Sequence, residues 1–135
     1  MPLNHAPAPF ILIDMDSPHA PVDQNKTRCD YIFIGGSSSI WLVPMELKKG
    51  RPHASEVKGQ LQAGANIADA HIIPRGEQVA FLPVVAHGGE LRRAEHKRFL
   101  ANANRVRFRD QQVRISLMRC GKPLHETLNK ASKSR

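Results

Sequence analysis

The chain contains few of the residues and motifs that identify several large protein classes. Its two cysteines, Cys29 and Cys120, are too few for a disulfide framework, and CxxC spacing is absent. The seven histidines form no HxxxH pattern, and neither a P-loop nor GxGxxG occurs. These absences argue against zinc proteins, P-loop enzymes and Rossmann enzymes. We expect a cytoplasmic, reducing environment in which both thiols are buried near strand ends.

Long hydrophobic runs are also missing. The longest, Phe10–Ile13 and Val79–Ala86, are far shorter than the ~20 apolar residues needed to cross a bilayer. The N-terminus has neither the positively charged segment nor the long apolar stretch of a secretory signal. We therefore expect no membrane segment, and the length of 135 residues suits a single domain, residues 1–135.

Positive charge is abundant and unevenly placed. Twenty lysines and arginines against twelve acidic residues give a net charge of +8 and a pI near 10.1. Residues 91–135 hold thirteen of the basic residues and three of the acidic ones, so they carry +10, and residues 1–90 carry −2. A basic C-terminal part is typical of a protein that meets a polyanion, although a charged surface that serves solubility gives the same balance.

The first half of the chain predicts an extended arm, a hairpin and a helix. Residues 1–23 contain five prolines and suit an arm with one anchoring strand or turn at Phe10–Ile13. Strands are expected at Asp30–Ile34 and Ile40–Lys48, paired as an antiparallel hairpin. Apolar residues then recur at helical spacing from about Ala54 to Ala70, which predicts an amphipathic helix.

The second half predicts further strands and helices. The helix predicted from about Ala54 to Ala70 is expected to take Ser55 as its N-cap. The remaining elements are expected to be a buried strand at Val79–Ala86, a basic helix at about Glu90–Ala103, a hairpin of Arg105–Arg109 with Val113–Leu117, a short helix near Leu124–Leu128 and a frayed tail at 130–135. The resulting order predicts an α/β fold with a mixed central β-sheet flanked by helices.

Charged residues interrupt the apolar hairpin at one end. Strand side chains alternate, so Glu46 and Lys48 share one face while Leu47 points into the core. Antiparallel pairing brings Asp30 beside the end of the second strand, so Asp30 and Glu46 converge with Lys48 next to them. Two carboxylates and a backbone carbonyl suit Mg²⁺, and the lysine could orient or deprotonate an attacking water or offset charge on a phosphate. A plain surface salt bridge is the alternative for Glu46 and Lys48.

These residues carry a resemblance to a known family. Asp30, then Glu46-Leu47-Lys48 after fifteen intervening residues, then an amphipathic helix with Gln60, resemble the PD-(D/E)XK nuclease superfamily, which has the restriction-endonuclease-like fold. Gln62 is a weaker substitute for Gln60. The resemblance covers about residues 29–87, and its core of strand, strand, helix and strand in a mixed sheet agrees with the predicted order.

The resemblance implies a role for each matched residue. Asp30 and Glu46 would be metal ligands, and Leu47 would lend its main-chain carbonyl oxygen. The metal would be Mg²⁺, for which Mn²⁺ could substitute. Lys48 would be the catalytic lysine, and Gln60 would contact the metal-bound water or the DNA.

The chain departs from the family pattern at three places. Cys29 stands where the family name has proline, and Pro44 lies where a regular core strand is expected, which predicts a bulge or bend. Many members carry a glutamate on a helix before the first core strand, but no glutamate precedes Glu46 here. The aspartates that could substitute are Asp14, Asp16 and Asp23. The missing acid would weaken metal binding or make activity depend on a partner.

Basic residues recur on the predicted surfaces of the C-terminal part. We expect contacts with the nucleic-acid backbone from the basic helix and from one face of a strand, through Arg92, Arg93, Lys97, Arg105, Arg107 and Arg109. Few exposed aromatic residues accompany them, so duplex DNA fits better than stacked single strands. An interface with an acidic protein is the alternative.

The acidic site and the basic surface together predict a Mg²⁺-dependent nuclease that hydrolyses the phosphodiester bonds of DNA. A domain of 135 residues has little room for a recognition module, so we expect a homodimer or a subunit of a larger complex. The alternative is a non-catalytic nucleic-acid-binding or scaffold subunit that keeps a nuclease-like fold with a degraded site.

Overall fold

The chain forms one mixed sheet and one small hairpin in a computed structural model, which describes residues 2–3, 5–20 and 27–133. Asp23 and residues 134–135, on which sequence predictions fall, lie outside the described residues. The strands are β1 Phe10–Asp14, β2 Tyr31–Gly35, β3 Trp41–Lys48, β4 Ala80–Phe81, β5 Val84–His87, β6 Val106–Phe108, β7 Gln111–Val113 and β8 Ser116–Arg119. The helices are α1 Ala54–Ile67, α2 Arg93–Leu100 and α3 Leu124–Lys133, with a π-helical turn at Ala68–Ile72 and a 3-10 turn at Asn102–Asn104.

The main sheet has the strand order β1-β2-β3-β5-β8, and β4 also pairs with β3. β1, β2 and β3 are antiparallel neighbours, whereas β3, β5 and β8 run parallel. The predicted α/β class with a mixed central sheet is therefore confirmed, as is the predicted hairpin of β2 and β3. The N-terminal arm is anchored by β1, which pairs along β2.

Apolar side chains on the two faces of the sheet build two cores. On one face, Leu42 and Val85 pack in the same cluster as Leu61 of α1, together with residues of α2 and of the β6–β7 hairpin. On the other face, Val43 packs in the same cluster as Leu128 of α3. Helices therefore flank the sheet on both sides. Among the described residues, no helix is both long and apolar enough to cross a membrane.

Pro44 lies within β3 without the bulge that the sequence predicts, since Ile32 remains its partner in a regular register. The Leu42 carbonyl accepts a hydrogen bond from the Leu82 N–H, so the backbone groups of Leu42 point away from β2, toward the parallel strands. Pro44 is two residues further along β3, so its backbone groups point to the same side. The neighbouring chain is interrupted there at Pro83, between β4 and β5. Because Pro44 faces this interruption, its missing N–H removes no hydrogen bond with β2.

Helix α1 approaches the sheet closely at Gly64. A Cβ at this position would lie 2.5 Å from the Cys29 sulfur and 3.1 Å from the Pro44 Cβ, so even alanine is too large and glycine is required. Burial raises the pKa of the Cys29 thiol to about 12. Cys120 is exposed, so the prediction that both thiols are buried is wrong for this residue.

The N-terminal end of α1 is capped by a residue from another helix. The N-cap is His53 rather than the predicted Ser55, and the His53 side chain forms no capping hydrogen bond. Instead the Ala54 N–H donates to the buried Glu95 carboxylate of α2 over 2.6 Å, and Arg98 donates to the other oxygen over 2.8 Å. These contacts, the Ala54 bond above all, lower the pKa of Glu95. An anionic cap at a helix N-terminus also stabilises the helix dipole, so Glu95 joins α2 to α1.

The second hairpin differs from its prediction. The sequence predicts that Arg105–Arg109 pairs with Val113–Leu117, but β6 pairs with β7, so that Val106 faces Val113. The chain turns at Arg109, whose φ is 54°, and β8 joins the main sheet beside β5. Alternation identifies strand segments but does not specify which strand each one pairs with.

Two glutamine side chains attach this hairpin to the rest of the fold. The Gln62 amide accepts a hydrogen bond from the Arg107 N–H and donates to the Arg107 carbonyl, over 2.9 and 2.8 Å. The Gln111 amide accepts from the Phe81 N–H and donates to the Val79 carbonyl. Each amide thus pairs with a strand edge as a neighbouring strand would. Gln62 therefore has a structural role and is not positioned as a substitute for Gln60.

The last helix is longer than the sequence predicts. Helix α3 continues to Lys133, so residues 130–133 are helical and not frayed. Its first residue, Leu124, donates its N–H to the Pro2 carbonyl over 3.1 Å, which ties the N-terminal segment to the start of the helix. Helix α2 is shorter than the predicted range Glu90–Ala103, because it begins at Arg93 and ends at Leu100.

Candidate metal centre

Asp30 and Glu46 lie side by side where β2 begins and β3 approaches its end. The pairing of Tyr31 with Met45 places them opposite each other. The Asp30 N–H donates to Glu46 Oε1 over 3.1 Å, and the Leu47 N–H donates to Asp30 Oδ2 over 2.8 Å. The two carboxyl groups are also within hydrogen-bonding reach of each other. The structure therefore brings together the two carboxylates that the sequence predicts to converge.

Glu46 is a buried acid, with 2% of the residue exposed. Burial is the main cause that raises its pKa from the ordinary 4.5 to about 7. The charge of Asp30 and a hydrogen bond with the Asp30 side chain act in the same direction. The nearby Lys48 ammonium opposes this shift but does not cancel it. At neutral pH the pair therefore gains from any additional positive charge, either a proton or a cation.

Lys48 is held between two carboxylates. Its Nζ lies 3.3 Å from Glu46 Oε2 and 3.1 Å from Glu56 Oε1, the latter in the first turn of α1. Burial lowers the pKa of Lys48, but the hydrogen bond to Glu56 and the charge of Glu46 outweigh it, so the pKa is raised. Lys48 is consequently a positioned cation at neutral pH.

The end of β3 is fixed by the turn that follows β5. The Gly88 N–H donates to the Lys48 carbonyl over 3.0 Å. A Cβ at Gly88 would lie 2.5 Å from the Lys49 carbonyl oxygen, so the close approach needs glycine. His87 Nδ1 lies 2.9 Å from the Gly89 carbonyl and therefore donates to it, which steadies the turn.

A cleft of about 590 Å³ opens beside Asp30. Asp16, Arg28 and Gln60 contribute to its walls, and Arg28 Nε donates to Asp16 Oδ1 over 2.9 Å. The Gln60 Oε1 atom is buried and has no hydrogen-bond partner among the described residues. A buried acceptor without a partner costs about 1–3 kcal/mol, so a donor that enters the cleft would be stabilised there.

Asp30 lines this cleft, and Glu46 and Leu47 lie next to Asp30. Their oxygen atoms fit a hard divalent cation. Within the described residues there is no group of three or more His, Cys, Asp and Glu side chains that could hold a metal. The protein would supply the carboxylates of Asp30 and Glu46 and the carbonyl of Leu47, which points to the same strand edge as the Leu47 N–H. Mg²⁺ is commonly bound through only one or two carboxylates and retains several waters, so this donor set suits it. The Leu47 side chain is 37% exposed and does not point into the core as the sequence predicts.

Three of the predicted nucleic-acid contacts lie on α2 and its N-cap. Arg92, Arg93 and Lys97 are exposed, and no ion pair of their side chains occurs within the described part of the chain. Because Glu95 holds α2 against the start of α1, these cations lie near the helix end that also carries Glu56. The basic helix is thus joined to the start of the helix that carries Glu56.

The three arginines predicted on one strand face do not lie together. Arg109 is in the turn, and its guanidinium donates to Asp69 Oδ1 and to three carbonyl oxygens, those of Ile73, Pro74 and Glu77. Because these contacts occupy the guanidinium in holding the end of the π-helical turn, Arg109 is not positioned to contact nucleic acid as the sequence predicts.

The other two arginines differ from each other as well. Arg107 is exposed on β6, as predicted, and its Nε donates to the Arg109 carbonyl. Arg105 is half-buried, and its Nε is buried without a partner among the described residues. Of these three arginines, only Arg107 is exposed to solvent as the alternating pattern predicts.

Glu56 forms an ion pair with Lys48, although its place in the sequence does not predict this contact. A glutamate in the first turn of a helix usually needs no explanation beyond the helix dipole, so the sequence carries no specific signal for this contact.

Comparisons with protein-family models, with curated proteins and with solved structures found no match for this chain.

Proposed function

We propose that this protein is a Mg²⁺-dependent nuclease that hydrolyses phosphodiester bonds of DNA at the cleft beside Asp30. The observation that carries the proposal is the buried Glu46 carboxylate, which lies against Asp30 across β2 and β3 with Lys48 bound to its other side. Burying Glu46 beside a second acid is unfavourable unless a cation or a proton joins the two carboxyl groups. A site built in this way suits cation binding better than it suits a surface salt bridge.

The order of the elements supports a restriction-endonuclease-like core. Strands β2 and β3, helix α1 and strand β5 follow one another, with β5 parallel to β3 in a mixed sheet. This is the order that the PD-(D/E)XK resemblance implies. The acid that the family carries before the first core strand has a counterpart in Asp16, which lines the same cleft from a turn and not from a helix.

Each residue of the site has a defined part in the proposed reaction. Asp30, Glu46 and the Leu47 carbonyl would hold Mg²⁺. When bound, this cation supplies a Lewis acid beside the scissile phosphate. Lys48 offsets the negative charge that develops on the phosphate as the water oxygen bonds to phosphorus and the bond to the leaving sugar oxygen breaks. Gln60 Oε1 accepts a hydrogen bond from the attacking water and so orients it.

The protein would bind the phosphate backbone of duplex DNA without recognising its sequence. Arg92, Arg93, Lys97 and Arg107 are exposed cations that suit phosphate contacts, each of which adds affinity that falls with salt. Phosphate contacts carry no sequence information, so we propose that sequence preference comes from a second copy or from another subunit.

Nicking of supercoiled plasmid DNA with Mg²⁺ or Mn²⁺ tests the proposal. Glu46→Gln and Lys48→Met should each lower the rate by at least about 100-fold, because each removes a charge that acts on the transition state. Glu126→Gln is the matched control, since Glu126 is an exposed glutamate of α3 on the other face of the sheet. It should cut at the wild-type rate.

The same proteins separate the catalytic function from the scaffold alternative. Isothermal titration should show Mn²⁺ binding to the wild type and to Glu126→Gln, and weak or no binding to Glu46→Gln. Equal nicking by the wild type and Glu46→Gln would refute the nuclease assignment. DNA binding that ignores metal, in a protein that never cuts, would favour the non-catalytic scaffold.

A further inference from the structure

A second concave surface lies on the sheet face opposite the candidate metal centre. It is a groove of about 650 Å³ between β8 and α3, and it plays no part in the proposed reaction. Its floor includes the buried apolar residues Leu82 and Met118. One wall is formed by Thr127 and Ala131 of α3. An apolar floor of this kind suits inserted side chains better than it suits phosphate groups.

The other wall of the groove is the outer edge of the sheet. β8 pairs with β5 on one side only, and it is the last strand in the sheet order. The Ser116 and Cys120 N–H groups donate to the strand side occupied by β5. Leu117, between them, therefore directs its N–H and carbonyl outward, and neither has a backbone partner within the described residues. This edge offers hydrogen bonds to one more strand.

The rim of the groove is cationic. Four lysine and arginine side chains line it, against one carboxylate, that of Glu126. Arg114, Arg119 and Lys122 are exposed, and their side chains form no ion pair within the part of the chain that the structure describes. Charge complementarity therefore favours an acidic occupant.

We infer that this groove binds an acidic, extended peptide segment of a partner protein as an added strand along β8. Main-chain hydrogen bonds to the free edge supply affinity, apolar side chains at alternate positions fill the floor, and acidic side chains meet Arg114, Arg119 and Lys122. A nucleic acid would use the cations but would leave the strand edge unpaired, and among the described residues no aromatic side chain lines the groove for stacking. The groove would thus attach the protein to a partner independently of the metal centre.

Fluorescence anisotropy with a labelled peptide of alternating glutamate and valine tests this inference. The double variant Arg114→Glu/Lys122→Glu should weaken binding by about tenfold or more, since it reverses two exposed rim charges. The matched control is Arg92→Glu/Arg93→Glu, which makes the same change of charge at the start of α2 and should bind as the wild type does. Circular dichroism checks that both double variants fold.

A second probe separates strand addition from simple charge attraction. Two adjacent central residues are N-methylated, so that whichever edge of the peptide faces β8 lacks one donor. This probe should bind about tenfold more weakly or worse. Glu46→Gln should bind the unmodified peptide normally, so the result does not depend on the nuclease proposal.

Three results would overturn the inference. The first is no measurable binding of the unmodified peptide, and the second is equal affinity for the N-methylated probe. The third is a short DNA duplex that competes for the groove and loses affinity in Arg114→Glu/Lys122→Glu as strongly as the peptide does. The third result would assign the groove to nucleic acid instead.

Discussion

Replacing Glu46 with glutamine removes a buried ionisable carboxyl while nearly preserving its size, so the stabilities of the two proteins should diverge as the pH rises. The pKa of Glu46 is raised by burial and by Asp30 from 4.5 to about 7 in the folded protein. The native state therefore favours the protonated form. The stability that protonated Glu46 contributes is fully present below pH 4.5 and is lost as the pH rises through about 7.

The size of this effect follows from the pKa values. A carboxyl whose pKa moves from 4.5 to about 7 corresponds to about 3 kcal/mol of free energy of unfolding. The part of this loss that falls above pH 5 is about 2–3 kcal/mol. Glutamine does not titrate, so the Glu46→Gln protein lacks this pH-dependent loss.

Urea unfolding at several pH values between about 5 and 8 measures the divergence. Trp41 is the only tryptophan and is buried in the core beneath α3, so its fluorescence reports the transition. The wild type should lose about 2–3 kcal/mol relative to Glu46→Gln across this range. Parallel stability curves would refute the burial and charge coupling described for Glu46.

Mg²⁺ adds a second readout to the same experiment. If the proposed metal centre is correct, at about pH 8 the wild type would bind the cation in place of the lost proton, so a concentration ten times the dissociation constant should restore about 1.4 kcal/mol. Glu46→Gln should show little or no restoration. If the stability of the wild type falls with pH but does not rise on addition of Mg²⁺ or Mn²⁺, the burial of Glu46 is supported and the metal centre is refuted.

Other residues give independent predictions. Gly64→Ala should destabilise the protein by about 1–3 kcal/mol in urea unfolding, because its Cβ would meet the Cys29 sulfur, whereas Gly59→Ala on the open side of α1 should be neutral or stabilising. Glu95→Gln should cost about 1–2 kcal/mol, since it removes the charged cap of α1, and an unchanged midpoint would contradict that role. Arg109→Ala should lower the thermal midpoint more than Arg107→Ala, because Arg109 holds the π-helical turn through four acceptors. Ellman's reagent should label Cys120 in the native protein and Cys29 only after unfolding, and rapid labelling of both thiols would refute the burial of Cys29.

Local pattern was sufficient for the hairpin that holds the candidate site. β2 and β3 are joined by a short loop, and side-chain alternation is a property of any strand. The spacing from Asp30 to Glu46 therefore predicts that the two carboxylates meet, and the placement of Lys48 on the same face follows from the same rule. The mixed sheet also follows from the order of strands and helices.

Long-range pairing could not be predicted from the same patterns. Val113–Leu117 alternates as strictly as a hairpin strand, yet the chain divides there between β7 and β8, because the edge of the main sheet was also available as a partner. The alternate spacing of Arg105, Arg107 and Arg109 predicted one basic face. Arg109 instead finds one acceptor in the π-helical turn and three just after it, in a segment distant in sequence.

The sequence by itself determined that an acid-rich strand end precedes an amphipathic helix and that the positive charge lies in the C-terminal part, since both depend only on neighbouring residues. Only the tertiary structure decided that Glu46 is buried, that Glu56 shares Lys48 and that Glu95 caps α1. Those properties arise where elements far apart in sequence exclude water from the same place. The scarcity of cysteine fits this outcome, because tertiary packing and hydrogen bonds hold the described fold and both cysteines are free thiols.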